Sequence, residues 1–278
     1  MSRAPYRRPM ADLVPRFRED HVGIVRSFIA HVVEESGRRG VVLGLSGGLD
    51  SALVAKLCAD AIGPKRVLGM ALPEGPGGQD RKDAEAWAKE LGIGFRVLDI
   101  KRIVGTFERS LVASRAPRIA RGNIRARARM IVLYYVANTE GRLVIGTGNK
   151  SEILTGYFTV AGDGACDFLP IGDLYKTQVR EMARHLGLPP RIVDQTPTAG
   201  LWKGQTDEGE LGITYDELDR ILLGIELQLE PEAIADKASV PIDRVRHVED
   251  LVASGVHKRK MPLIPKLGIR TIGLDWRE

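Results

Sequence analysis

The stretch RRGVVLGLSGGLDSALVAKLCADAIG, Arg38 to Gly63, constrains the fold more than any other part of the chain. Val41, Val42, Leu43 and Leu45 form a short apolar run rich in β-branched residues, which predicts a buried strand. Leu53, Val54, Leu57, Cys58, Ala61 and Ile62 then recur at helical spacing, and Gly63-Pro64 stops the helix. Between them, Ser46-Gly47-Gly48 lets the backbone bend tightly and approach a ligand, because glycine has no Cβ. Free amides at the start of the following helix, which Asp50 and Ser51 open, face any anion placed there.

Several glycine-loop chemistries compete for this stretch. A Walker A loop needs G-x-x-x-x-G-K-[ST], and no Lys follows these glycines. A dinucleotide fingerprint needs G-x-G-x-x-G, which GLSGGLD does not supply. Gly44-Leu45-Ser46-Gly47-Gly48 does match the G-x-S-x-G nucleophile elbow, but only one strand precedes Ser46 and no oxyanion loop does. A glycine turn with no ligand stays open on this stretch alone.

The rest of the first half alternates strands and helices. Residues 14–36 read as an amphipathic helix with Ile24, Val25, Phe28, Ile29, Val32 and Val33 on one side. Strands follow at 66–72, 94–100 and 142–148, separated by the helices RKDAEAWAKEL, KRIVGTFERSLVAS and RIARGNIRARARMIVLYYVANTEG. That order predicts a doubly wound, mostly parallel α/β sheet with ligands at the carboxyl ends of its strands. From about Tyr175 the chain reads as mainly helical. No internal repeat or low-complexity linker appears, so residues 1–278 are expected to form a single domain.

Bulk properties exclude some classes. The longest apolar run of note, IVLYYVA, is too short to span a bilayer, and the basic N-terminus lacks a signal-peptide apolar core. Two cysteines suggest neither a disulfide framework nor a zinc site, and a cytoplasmic protein is expected. Lys and Arg outnumber Asp and Glu by 41 to 36, a net charge of +5 that suits acidic ligands such as nucleotides and equally suits RNA. Against RNA, no RRM, KH or zinc signature is present, and 5% aromatic residues leave few stacking platforms.

The second dense region is IGTGNKSEILTGYFTVAGDGACDFLPIGDLYKTQV, residues 145–179. Thr147 and Gly148 fall at a strand's carboxyl end, and Asn149 to Glu152 open a helix. Asp50 and Glu152 both sit just past strand ends, where a doubly wound sheet brings them together, and Mg²⁺ commonly takes one or two carboxylates plus phosphate oxygens. Caps and surface charges are the plainer reading of each acid. The polar, glycine-rich stretch 195–219 is long for a connection and suits a lid or binding loop. His257, Lys258, Arg259 and Lys260 cluster near the end, as a binding patch or as an ordinary solvated face.

Taken together these segments resemble a known family. SGGLDS is similar to the S-G-G-x-D-S loop of the N-type ATP pyrophosphatases, which cleave ATP to AMP and pyrophosphate. RGNIRARARM, GTGNKSEILTGYFT, GDGACDFLPIGDLYKTQVR, PTAGLWKGQTDEGELGITYDELD and the His257-Lys258 pair resemble the NAD synthetase family within that group, from about residue 20 to 260. The resemblance implies amidation of deamido-NAD through an acyl-adenylate, with ATP, Mg²⁺ and ammonia required. It implies that Gly44, Leu45, Ser46, Gly47, Gly48, Leu49, Asp50, Ser51, Thr147, Lys176 and Thr198 bind ATP, and that Asp50 and Glu152 ligate the metal. Asp50 and Lys176 are the implied catalytic residues, with Asp163 a candidate for the ammonia pocket; Arg127, Asp167, His257 and Lys258 match deamido-NAD contacts.

The family is commonly a homodimer, and the helix at 123–137 is a candidate for that contact or for the monomer core. The synthetase region uses all 278 residues, so no glutaminase domain is expected, and nitrogen comes as free ammonia or from a separate donor. One departure stands out: GYFTVAGD has Val160 and Ala161 where the family usually carries Lys-Tyr. Losing that Lys removes a charged contact worth about 1.5–3 kcal/mol. Three other readings remain: an adenylating amidotransferase acting on a different carboxylate, an RNA-binding or RNA-modifying protein, and a nucleotide-binding regulator without catalysis.

Overall fold

The computed structural model describes residues 13–111, 116–202, 204–260 and 262–272. Helix α1 (Asp20–Glu35) leads into β1 (Gly40–Gly44), α2 (Leu49–Ile62), β2 (Val67–Ala71), α3 (Gln79–Leu91) and β3 (Gly94–Val97). Then come α4 (Lys101–Ser110), α5 (Arg118–Glu140), β4 (Arg142–Ile145) and α6 (Lys150–Thr155). The remainder comprises α7 (Lys176–His185), α8 (Pro190–Val193), α9 (Asp207–Leu211), α10 (Tyr215–Glu226), α11 (Pro231–Ala238), α12 (Ile242–Ser254) and α13 (Val256–Arg259).

The four strands pair in parallel in the order β3-β2-β1-β4. The side-chain period of two divides β1 between two cores. Val41 and Leu43 face α1, α2, α3, α7 and α8, while Val42 faces α4 and α5. Each fully buried aliphatic side chain in these layers contributes about 1.5–3 kcal/mol relative to exposure. Helices therefore cover both faces, as the alternating sequence predicts. The order reverses between β1 and β4, and ligands of such sheets bind in the crevice beyond that switch point. Phe168 pairs in parallel with Ile145 and extends the β4 edge by one residue.

Three boundaries differ from the sequence reading, the first being β4, which ends at Ile145 instead of 148. Helix α1 starts at Asp20 rather than at residue 14, because the chain there runs past Pro15 and its Phe17 N–H donates to Glu181 Oε2. The α1 stripe buried is Val22, Val25, Ile29 and Val33, leaving Ile24 and Phe28 exposed. Strand β3 stops at Val97 instead of 100, although Leu98 N still donates to Ala71 O and Ile100 N to Pro73 O as the chain turns into α4. The last residues of the expected helix after β3, 112–114, lie outside the described residues.

A second core joins Leu13, Tyr175 and the helices α10, α11 and α12 around Leu218, Ile221, Leu222, Ile234, Val245 and Val248. Helix α6 packs against α10 and α12, so this helical cluster borders the carboxyl end of β4. Helix α5 contributes to the monomer core through Ala126, Ala128, Val132 and Val136, while Ile131 and Tyr135 face solvent. Among the described residues no helix is long and apolar enough to cross a membrane.

Candidate active site

The glycine loop is held by its own side chains. Ser51 Oγ donates to Gly48 O at 3.0 Å and accepts from Ser46 N at 3.2 Å, and Ser46 Oγ accepts from Gly48 N at 3.2 Å. Gly47 has φ of 92°, and a Cβ there would stand 2.3 Å from Asp80 O. Only glycine fits that position. Gly48 is the N-cap of α2 and has no capping side chain, so the amides that open the helix stay available to an anion. Leu45 and Leu49 anchor the loop in the core, and Gly44 ends β1. The Ser46 hydroxyl is engaged within the turn, which suits a donor rather than the nucleophile of an elbow.

Across the switch point, Gly146, Thr147 and Gly148 leave β4 and bring Asn149 to the loop. Asn149 is fully buried and does two things. Its side chain and that of Glu152 form a reciprocal capping box at the start of α6. Its Nδ2 donates to Asp50 Oδ1 at 3.0 Å. Lys176, the first residue of α7, sends its buried ammonium onto Asp50 Oδ2 and to within 3.8 Å of Glu152 Oε1. Three candidates separated by up to 126 residues thus form one cluster over the phosphate loop.

Electrostatics in this cluster are strongly biased. Burial pushes Glu152 well above the usual carboxylate range and the nearby Asp50 charge adds to it, with Lys176 opposing both. Burial alone lowers the Lys176 ammonium, but Asp50 and Glu152 outweigh it and leave the group raised and charged. One cation is thus paired with Asp50, and Glu152 beside it holds its proton more tightly than a free carboxyl. The described residues contain no cluster of three metal-binding side chains, and two carboxylates fit an ion that takes its other ligands from phosphate and water.

The other candidates lie outside this cluster. Thr198 is exposed and its Oγ1 accepts from Gly200 N at 3.1 Å, a local turn bond. Arg127 donates to Val160 O at 3.2–3.3 Å, so a guanidinium grips the main chain where the family's Lys is missing. Asp163 Oδ1 accepts from Thr159 N at 2.9 Å. Lys258 Nζ donates to Gly156 O at 2.7 Å and Phe158 O at 2.9 Å; burial pulls its pKa down while Asp163 pulls it back up. Asp167 accepts from Val144 N at 2.7 Å and Tyr134 OH at 3.3 Å, a sheet-edge role that sequence does not suggest. His257 is exposed, its Nδ1 2.8 Å from Ser254 O.

Several residues were not singled out from sequence. Gln195 Nε2 donates to Asp80 Oδ1 at 3.1 Å and lies against Gly48, roofing the phosphate loop. Tyr215 lies under the Lys176 ammonium, 5.3 Å from nitrogen to ring centre, and donates to the buried Asp207 at 3.2 Å. The 195–206 loop is pinned by Gln205, which receives Leu201 N at 2.8 Å and donates to Glu210 at 2.9 Å. Trp202 from the same loop stacks on Arg118 and packs on Gly122.

A doubly wound sheet with an open glycine loop at its switch point, facing an acid–lysine cluster, defines an α/β nucleotide-binding enzyme that handles a polyphosphate. The chain belongs to the NAD synthase family, whose model matches residues 22–262. It is 48% identical over 242 residues to the NH(3)-dependent NAD(+) synthetase of Thermococcus sibiricus, covering 87% of this chain and 94% of that protein. Two solved structures are similar. NMN synthetase from Francisella tularensis superposes with a TM-score of 0.80 and 34% identity, covering 90% of this chain and all of that one. NH3-dependent NAD synthetase from Campylobacter jejuni gives 0.76 and 30%, covering 89% and 98%.

Proposed function

We propose that this chain amidates deamido-NAD with ammonia at the expense of ATP, with the Asp50–Lys176–Glu152 cluster at the switch point as the observation that carries the reading. A carboxylate has no good leaving group, so it must first be activated. An oxygen of the nicotinate carboxylate attacks the α-phosphorus of ATP, and the bond to pyrophosphate breaks. Ammonia then attacks the acyl carbon, the C–O bond to the oxygen that attacked phosphorus breaks, and AMP leaves with that oxygen while the other stays as the amide carbonyl of NAD. Nothing here requires a protein nucleophile; positioning and charge stabilisation do the catalysis.

The backbone of Ser46, Gly47 and Gly48, with Ser51, cradles the leaving pyrophosphate, the Ser46 and Gly48 amides exchanging their bonds to Ser51 Oγ and Ser46 Oγ for phosphate oxygens, and Lys176 and Thr198 hold ATP phosphates beside Thr147. Asp50 and Glu152 hold Mg²⁺, which when bound neutralises charge on the phosphates. Asp163 accepts the proton of an incoming ammonium. Arg127, Asp167, His257 and Lys258 form the dinucleotide side. Free ammonia is the nitrogen source, as the names of the similar synthetases state for those proteins. The outward Ile131 and Tyr135 of α5 support a homodimer through that helix. The cytoplasm is the proposed compartment.

The test is an end-point assay with ATP, Mg²⁺, deamido-NAD and ammonium, scoring NAD and AMP by chromatography. Parallel tubes replace ammonium with glutamine, or deamido-NAD with nicotinate mononucleotide. Equal NAD and AMP with ammonium is the expected result. Folded protein that binds ATP yet makes no NAD, while amidating the mononucleotide, overturns the substrate assignment.

A further inference from the structure

Asp219 is fully buried on α10, and the chemistry above makes no use of it. Its carboxylate ties together the two helix starts that carry the catalytic cluster. One oxygen accepts from Ser151 Oγ, the neighbour of Glu152 on α6. The other accepts from Thr177 N and Thr177 Oγ1, both at 2.8 Å, beside Lys176 on α7. Ser151 Oγ accepts in turn from Lys176 N at 3.0 Å. The first two amides of α7 therefore end on a relay from α6 and α10. The side chain preceding them cannot cap: Tyr175 OH donates away to Glu226. A carboxylate at that helix start supplies acceptors and a charge matched to the helix dipole.

We propose that Asp219 is a positioning residue for the reaction: through Ser151 and Thr177 it sets α6 and α7 against each other, so that Lys176 Nζ and Glu152 meet Asp50 in one fixed geometry. The inference rests on the proposed assignment of Lys176 to ATP and of Glu152 to the metal. The polarity of the relay matters as well as its shape. Thr177 N can only donate, so an Asn at 219 has to turn its oxygen there and its amide toward Ser151 Oγ. The bond to Ser151 then runs backwards, and the Ser151 proton loses its acceptor while α7 stays capped. Burial also pushes the Asp219 carboxyl up to about 6, against the hydrogen bonds it accepts. A neutral residue is thus no worse for folding, and retaining the acid serves the site.

The test uses the full chain carrying Asp219→Asn, Asp219→Ala or Ser151→Ala. Val245→Ala is the control, because Val245 is buried on α12 in the same helical cluster and outside the relay. Melting temperature, affinity for a non-hydrolysable ATP analogue with Mg²⁺, and kcat and KM for deamido-NAD are measured on each. Asp219→Asn is expected to melt within a few degrees of the parent, bind the analogue about tenfold more weakly, and lose at least about tenfold in kcat with KM within twofold. Val245→Ala is expected to melt lower with kcat and analogue affinity unchanged. Parental kcat and analogue affinity in Asp219→Asn and Ser151→Ala overturn the proposal, as do losses that Val245→Ala reproduces. If Asp219→Ala does not fold, the other two variants carry the test. A parent protein that binds the analogue but makes no NAD refutes the proposed reaction alone, and analogue affinity across the variants still decides the role of Asp219.

Discussion

The glycine-loop side of the candidate site and the side proposed for the dinucleotide are built differently. Around the glycine loop, Ser51, Asn149, Ser151 and Lys176 are buried and bonded to one another across distant parts of the chain. On the other side, Arg127, Asp163, Asp167 and His257 are exposed, and their partners are mostly main-chain groups nearby or at the sheet edge. Charge on a transferring phosphoryl group is stabilised best by groups already held in place, and the buried bonds of that half hold the backbone and Asn149 so, with Lys176 left to change partner. A large substrate needs an open surface to enter, and that half keeps its polar groups at the rim.

Four changes break or sharpen this contrast. Lys176→Met attacks the glycine-loop half at its centre. It should lower kcat on the order of 10²–10³-fold and leave Asp50 and Glu152 facing each other unpaired, at a cost near 3 kcal/mol. Turnover and urea unfolding measure the two losses, and a kcat within threefold of the parent removes Lys176 from the chemistry. Gly47→Ala comes next: a Cβ at φ 92° and 2.3 Å from Asp80 O must displace the loop. ATP affinity should fall by about tenfold or more and stability by roughly 1–3 kcal/mol, read by calorimetry and thermal melts.

The third change concerns pH. The Asp219 carboxyl is raised from 3.8 to about 6, burial being the main cause, opposed by Ser151, Thr177 and Arg180. A raised carboxyl stabilises the fold fully below its unfolded value and loses that contribution as pH rises through its folded one. Between about pH 4 and 6 the parent should therefore lose on the order of 2–3 kcal/mol through this group, and Asp219→Asn should lack that slope. Unfolding free energies at several pH values check it, and parallel curves for the two proteins would refute it. The smallest effect belongs to the open half. Val160 is exposed, so Val160→Lys should lower KM for deamido-NAD only about three- to tenfold, with kcat unchanged. Steady-state kinetics suffice, and an unchanged KM means that Arg127 already fills the need.

The same contrast governs what sequence reveals. The strand, loop and helix around Ser46 are legible because each is specified by neighbours: an apolar run, glycines, then helical spacing. Asp50, Glu152 and Lys176 are legible through the family's motifs, and the fold brings them together. Contacts between remote residues are not legible in that way. Gln195 reaches Asp80 across 115 positions, and Asp219 reaches Ser151 across 68. Asp219 sits at a polar position of an amphipathic helix and reads there as a surface acid. The ends of α1 and β3 are less legible for a local reason: apolar residues continue beyond the regular element, before Asp20 and after Val97.

The contact of Lys176 with Asp50 and Glu152 has a bearing on how the proposed catalytic cycle ends. An incoming polyphosphate must pull Lys176 away from partners it already has, so part of the attraction is spent in breaking that pair. Those partners remain within reach while products are bound. Under the proposed reaction Asp50 and Glu152 then act as a tethered competitor for the ammonium, weakening its hold on spent pyrophosphate. A site without such an internal rival would grip its first product more tightly and turn over more slowly.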